Sequence, residues 1–250
     1  MDLMQAIETR ISCRAFTDQA LPESTFLELA QEIASINAES GLHFQLYGPR
    51  DTGTAIDMNR KMFAANPPAY AAFVAPEGPL PEERLGYFGE RFVLKATQLG
   101  LGTCWVASTY DRASARVELG PGEKLHDVVP LGYAPARLPF AQRAIRRSIR
   151  GRSKRNEDLY RGPRPLSEAP AWVQGAIQAV QLAPSAVCEQ PVVFTQESPD
   201  APIRATVPQV KSKMEYTDLG IAKLHFEIAA HASGVHGSWE WGAGGAFAIG

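Results

Sequence analysis

The sequence predicts an α+β chain in which one arrangement of elements is used twice. Two observations carry that reading. The order helix, strand, strand, long helix, glycine stop and strand runs through both halves of the chain. The residues also agree in one register: Leu85-Gly86, Phe92, Ala96, Gly100 and Trp105 match Leu219-Gly220, Phe226, Ala230, Gly234 and Trp239, each pair 134 positions apart. Self-similarity at a fixed period marks an internal repeat. The chain is therefore expected to be a diverged duplication, with residues 1–163 as the first half and 164–250 as a shorter second half, together one compact unit.

The bulk properties fit this. The 250 residues allow one large domain or two small ones, and 45% apolar with 21% charged residues is the balance of a globular protein. A net charge of −2 argues against a nucleic-acid or membrane binder. No apolar run is long enough to span a bilayer. The opening Met1-Asp2-Leu3-Met4-Gln5 lacks the regions of a signal peptide, so a cytoplasmic protein is expected. Cys13, Cys104 and Cys188 are odd in number and contain no CxxC pair, which predicts neither a disulfide framework nor a metal site.

Taken in order, Leu3, Met4, Ile7 and Ile11 mark one face of a first helix, and Pro22 opens a second with Phe26, Leu29, Ile33 and Ala34 inward. Residues 42–47 alternate as a strand. Gly48-Pro49-Arg50-Asp51-Thr52-Gly53 is turn chemistry. A buried strand at 69–75, a long helix at 81–99 and a strand at 103–107 follow. A short helix from Asp111 and a strand at 127–133 close the first half. The second half predicts helices at 170–182 and 216–233, with strands at 191–196, 203–207, 235–241 and 246–249. Between Arg143 and Arg155 lie seven basic residues and no acidic one, with Pro163 and Pro165 soon after.

The chemistry begins at Arg10-Ile11-Ser12-Cys13-Arg14. In an extended chain residues 10, 12 and 14 point one way; in a helix Arg10 and Arg14 share a face. Either places two guanidinium forks near a hydroxyl, a set suited to a phosphate. The plainer alternative is a basic helix end. The run from Arg143 to Arg155 allows three readings: a phosphate clamp at its end, an attractor for an anionic substrate, or a solvated face. No Ser-His-Asp pattern, HExxH motif or phosphate-loop lysine is present. His231 and His236 read as structural or surface residues. Trp239 and Trp241 read as core.

These residues resemble a family. Arg10-x-Ser12-x-Arg14-x-Phe16, Leu99-Gly100-Leu101-Gly102-Thr103-Cys104-Trp105 and Leu131-Gly132-Tyr133 resemble segments of the FMN-dependent nitroreductases. Ala183-Pro184-Ser185-Ala186-Val187-Cys188-Glu189-Gln190-Pro191 resembles that family's APSxxNxQPW segment, and Ser153-Lys154-Arg155 its basic segment. The order is unusual. In typical members the APS segment comes early, whereas here residues 34–39 have no such motif and it stands in the second half. Typical members are homodimers that build each flavin site from both subunits. The resemblance thus implies a nitroreductase-like α/β/α sandwich, fused as a pseudo-dimer, with one flavin site per chain and a second that is dead.

Carried over residue by residue, the resemblance implies that Arg10, Ser12 and Arg14 hold the FMN phosphate and ribityl chain, with Lys154 and Arg155 closing over the phosphate. Pro184 and Ser185 lie along the ring, Cys188 stands at the family's asparagine, Gln190 follows, and Ala107 and Ser108 approach the ring from the other side. A thiol is a poorer hydrogen-bonding group than an amide, so Cys188 weakens FMN by about 1 kcal/mol. The implied activity is NAD(P)H oxidation through the flavin to a quinone, nitro compound or similar small acceptor, the two substrates using one place in turn and no protein residue acting as catalytic acid or base. The implied partner is that small molecule, with no nucleic acid and no membrane, and a monomer able to form its own site. Two rivals stand beside this: a flavin-cleaving or dehalogenating branch with a lid at 48–68, and a degenerate scaffold that stores flavin or binds it weakly.

Overall fold

A computed structural model describes residues 1–48, 56–59, 61–137, 139, 140, 143 and 153–250. Residues 49–53 of the expected turn, 49–55 and 60 of the suggested lid, and most of the basic run lie outside the described residues. In chain order the elements are α1 (Leu3–Thr9), α2 (Glu23–Ser40), β1 (His43–Tyr47), β2 (Ala69–Pro76), α3 (Pro79–Gln98), β3 (Gly102–Thr103) and β4 (Glu123–Gly132). There follow α4 (Asn156–Leu159), β5 (Tyr160–Arg161), α5 (Ala171–Gln181), β6 (Val193–Thr195), β7 (Arg204–Thr206), α6 (Met214–Ala232), β8 (Gly237–Trp239) and β9 (Phe247–Ile249). No helix among the described residues is long and apolar enough to cross a membrane.

The chain forms two compact units that do not follow a single cut. The first comprises Thr9–Glu77 and Phe92–Arg150; the second comprises Met1–Glu8, Gly78–Arg91 and Gly151–Gly250.

In the first unit β1, β2, β4 and β3 form an antiparallel sheet in that order. β2 is buried along its whole apolar run Ala69–Ala75 because it is an inner strand. Phe73 is its centre, stacked on Phe44 at 4.2 Å and edge-on to Trp105 at 5.2 Å and Phe92 at 5.9 Å. Asn37, near the end of α2, both donates to and accepts from the backbone of Phe44, each bond 2.8 Å, which fixes α2 to β1.

The strand expected at 103–107 is broken. β3 stops at Thr103, and pairing resumes only at Val106, which exchanges both backbone bonds with Val128. The register runs unbroken from Gly102↔Gly132 through Thr103↔Leu131 to Val106↔Val128, so Cys104 falls opposite Pro130. Bonded pairs alternate in an antiparallel ladder, and proline has no N–H to give at that rung.

In the second unit β5 runs parallel to β6, and β6 antiparallel to β7. The β8–β9 hairpin joins β7 through the Arg204↔Ala246 bridge and a 2.8 Å bond from Phe247 N–H to the Ile203 carbonyl. The order β6, β7, β9, β8 repeats the order β1, β2, β4, β3, and in each a long helix leads from the second strand of that order to the last, α3 from β2 to β3 and α6 from β7 to β8. The core is aromatic: Phe194 stacks on Phe226 at 4.9 Å, and Trp239 and Phe247 close around Phe226 at 5.2 and 5.4 Å. Trp239 is core as expected, while Trp241 is half-exposed beyond β8 and meets Tyr87 edge-on at 5.3 Å.

Within this unit the first turns of α3 cross α6 at two glycines. A methyl group on Gly86 would overlap the Thr217 carbonyl, and one on Gly220 the Glu83 carbonyl. Polar side chains then fill the seam. Lys223 pairs with Glu83, His225 Nε2 lies 3.0 Å from Glu90, and Tyr87 donates to Glu227 at 2.7 Å.

Candidate functional site

The expected site residues fall into two sets, one in each unit. In the first unit α1 has ended by Thr9, and residues 10–14 are extended rather than helical. Ser12 bridges Thr103 in parallel fashion, and the Cys13 N–H donates to the Thr103 carbonyl at 2.7 Å. From Ser12 to Ala15 burial alternates, with Cys13 and Ala15 facing the core, Ser12 exposed and Arg14 half-buried; before it Arg10 is half-buried and Ile11 exposed. Of the two geometries open at the sequence level, the extended one holds. Among the described residues neither the Ser12 hydroxyl nor the Arg14 guanidinium has a hydrogen-bond or ion-pair partner.

Gly102 lies against the Cys13 side chain with no room for a Cβ, which explains the glycine in that segment. Burial pushes the Cys13 thiol above its ordinary pKa, so it suits packing rather than nucleophilic attack. Beyond Val106 the chain leaves the sheet. The Ala107 carbonyl accepts from Arg112 at 3.3 Å, and Ser108 is exposed. Tyr110, which the sequence reading passed over, buries its hydroxyl with no hydrogen-bond partner among the described residues, and burial raises its pKa.

The second unit brings Lys154, Arg155, Pro184, Ser185, Cys188 and Gln190 into one neighbourhood. The side-chain oxygen of Gln190 accepts the Lys154 N–H at 2.7 Å. The Gln190 backbone N–H donates to Ser185 Oγ at 3.0 Å. Asp218 in α6 takes the Ala186 N–H on its two oxygens at 2.9 and 3.2 Å, anchoring the turn from outside. The sequence offered no local signal for Asp218, which lies in a helix 32 residues away from its partner. Arg155 spends two of its N–H groups on Asp158, both at 3.1 Å, which raises its own pKa and lowers that of Asp158. Lys154 keeps its ammonium without a hydrogen-bond or ion-pair partner among the described residues.

The turn itself is strained. Val187, Cys188 and Gln190 have φ of 45°, 61° and 45°, and they are the positive-φ non-glycine residues among those described. Such backbone costs an L-residue about 1–2 kcal/mol, most of all when it is β-branched, and it concentrates at functional sites. Beside the turn lies a small, partly open depression walled by Leu159, Val180, Pro184, Ser185, Asp218 and Ala222. The space a water centre can occupy there is about 10 Å³, room for roughly one water, so the depression is no preformed ligand pocket.

A family model described as "Putative TM nitroreductase" matches residues 2–230. A solved "putative nitroreductase" from Thermotoga maritima MSB8 aligns over 100% of this chain and 93% of its own, with 19% identity and a TM-score of 0.67. A nitroreductase family protein from Clostridium novyi NT covers 54% of this chain and 87% of its own, at 20% identity and a TM-score of 0.43. A nitroreductase with bound FMN from Bacteroides fragilis NCTC 9343 covers 56% and 92%, at 18% identity and a TM-score of 0.42. No curated protein matches. A family model that spans the bridged segment at Ser12, the broken β3 rung and the turn at Ser185, and a full-length fold match, identify the chain as a member of the TM nitroreductase family with the α+β nitroreductase fold.

Proposed function

We propose that this chain is an FMN-dependent NAD(P)H oxidoreductase reducing a quinone, a nitro compound or a similar small acceptor. The observation that carries the reading is the extended segment 10–14, where Ser12 and Arg14 stand on one side with uncommitted donors. A hydroxyl beside a guanidinium is the donor set a phosphate monoester needs. Lys154 offers a further cation, and Ser185 keeps its hydroxyl proton available because its oxygen is the acceptor for Gln190. Each set by itself suits one part of a flavin mononucleotide: Arg10, Ser12 and Arg14 suit a phosphate, Lys154 an anionic oxygen, and Pro184 and Ser185 the edge of a ring.

Bound FMN supplies hydride acceptance from a nicotinamide and onward transfer to the acceptor. The protein's share is to hold the phosphate, orient the ring and leave one face open, so that donor and acceptor enter in turn. The proposed duplication and single site per chain belong to the same reading.

The test is titration with FMN followed by steady-state oxidation of NADH and NADPH with a quinone. About one FMN per chain, acceptor-dependent turnover and loss of FMN in Arg14→Ala support the reading. Absence of FMN binding overturns it. A second reading, a flavin holder without turnover, is favoured by the commitment of Arg155 to Asp158 and by the thiol of Cys188 where the family carries an amide. One FMN bound without nicotinamide oxidation would select it.

A further inference from the structure

We propose that Gln190 is a positioning residue that sets the place of the Lys154 ammonium, tying the basic segment to the turn at Ser185. The inference rests on the FMN reading. It replaces a direct cofactor contact by Gln190 with an action through Lys154.

The geometry is a closed ring of three residues. Gln190 Oε1 accepts the Lys154 N–H at 2.7 Å, and Gln190 Nε2 donates to the Gln181 carbonyl at 2.8 Å. Gln181 Nε2 reaches back to the Lys154 carbonyl at 3.3 Å. Both faces of one peptide residue, the N–H and the C=O of Lys154, are thus held by two glutamines from different elements. The orientation of the Gln190 amide is forced. Turned over, its NH₂ would face an N–H and its oxygen a carbonyl.

Gln190 is buried, so its amide is spent inside the protein and is not offered outward. Its backbone holds φ 45° and its N–H is on Ser185 Oγ, so its own position is set by the same turn that carries Pro184 and Ser185. Arg155 cannot stand in for this link, because its guanidinium is pulled toward Asp158. Lys154 therefore takes its place from Gln190, and a point charge on a flexible stem is worth most when its root is fixed.

The experiment compares FMN with riboflavin, which lacks the phosphate, by flavin fluorescence titration. The proteins are wild type, Gln190→Met, Lys154→Ala and the double variant. Wild type should prefer FMN, and Gln190→Met should shrink that preference by about tenfold, since one charge-assisted contact is at stake, while riboflavin changes little. The double variant should be no worse than Lys154→Ala alone, because the two residues act as one. Equal weakening of both flavins by Gln190→Met, or additive losses in the double variant, would overturn the inference and leave Gln190 merely structural. If Gln190→Met does not fold, Gln181→Met removes only the hold on the Lys154 carbonyl. It should lower the preference by a smaller factor, and an unchanged preference would overturn the proposal. A wild-type protein that binds neither flavin overturns the FMN reading itself and this inference with it.

Discussion

Lys223 donates to Glu83 where neither side chain reaches water. The carbonyls of Glu240 and Gly242 take the other two ammonium protons at 2.9 and 3.0 Å, and the second oxygen of Glu83 accepts the Gly242 N–H at 2.7 Å. Every hydrogen of the ammonium is thereby satisfied. Removing one partner strands a buried charge, which costs about 3–5 kcal/mol. Lys223→Met should therefore lower the urea midpoint by that much stability. The double variant with Glu83→Leu should recover part of it and not all, because two carbonyls and the Gly242 N–H lose their partners. A Lys223→Met variant as stable as wild type would deny the pair its place in the seam.

The same lysine sets a pH dependence. Burial holds its pKa below the ordinary 10.5, and the charge of Glu83 opposes that fall without cancelling it. Between the folded value and 10.5 the unfolded chain therefore binds more protons than the folded one. Stability contributed by this group must rise with pH through that window. Denaturation midpoints followed from neutral pH to 10.5 should carry this upward component in wild type and lack it in Lys223→Met. A falling component that the substitution removes would reverse the sign of the argument.

How much of this was legible depended on the range of the signal. Helix ends marked by Pro22 and strands marked by apolar runs were readable because their causes are local. Both elements lie within two residues of expectation, α2 starting at Glu23 and β2 at Ala69. The rung lost between Thr103 and Val106 was not readable, because it depends on Pro130 arriving opposite Cys104. For the candidate site, the segment 10–14 and the turn at Ser185 were found as motifs. Their supports were not: Gln181 and Asp218 are ordinary helix residues until the fold brings them to Lys154 and Ala186. Gln190 was singled out for a contact with the cofactor, and its hydrogen bonds go inward instead.

Cys188 stands at φ 61°, in the left-handed region that asparagine tolerates better than other side-chain-bearing residues. The asparagine found there in the resembling family suits the backbone as well as a ligand. Cys188→Asn should therefore gain about 0.5–1 kcal/mol in thermal or urea unfolding, part of the left-handed penalty. It should also tighten FMN several-fold by restoring an amide. Tighter FMN without the stability gain would place the benefit in the ligand contact alone. A loss of stability would contradict the backbone geometry of the turn.

Gly86 lies against Thr217, and Gly220 lies against Glu83. Thr217 follows Glu83 by 134 positions, as Gly220 follows Gly86. Adding 134 to one contact thus yields the other with the partners exchanged, which is the pattern of a two-fold contact between copies. The proposed duplication accounts for it: a glycine that let two identical helices touch is needed at both places once the copies are fused. Each site sets a new methyl against main-chain atoms, which cannot swing aside as a flexible side chain can. Gly86→Ala and Gly220→Ala should each destabilise the protein by roughly 2–3 kcal/mol, the upper part of the overpacking range. Ala substitution should be mild at Gly175, where a Cβ meets nothing within 4 Å. Urea denaturation of the three variants checks this. A large loss at one crossing glycine and none at the other would break the equivalence, and with it the case that these helices descend from one.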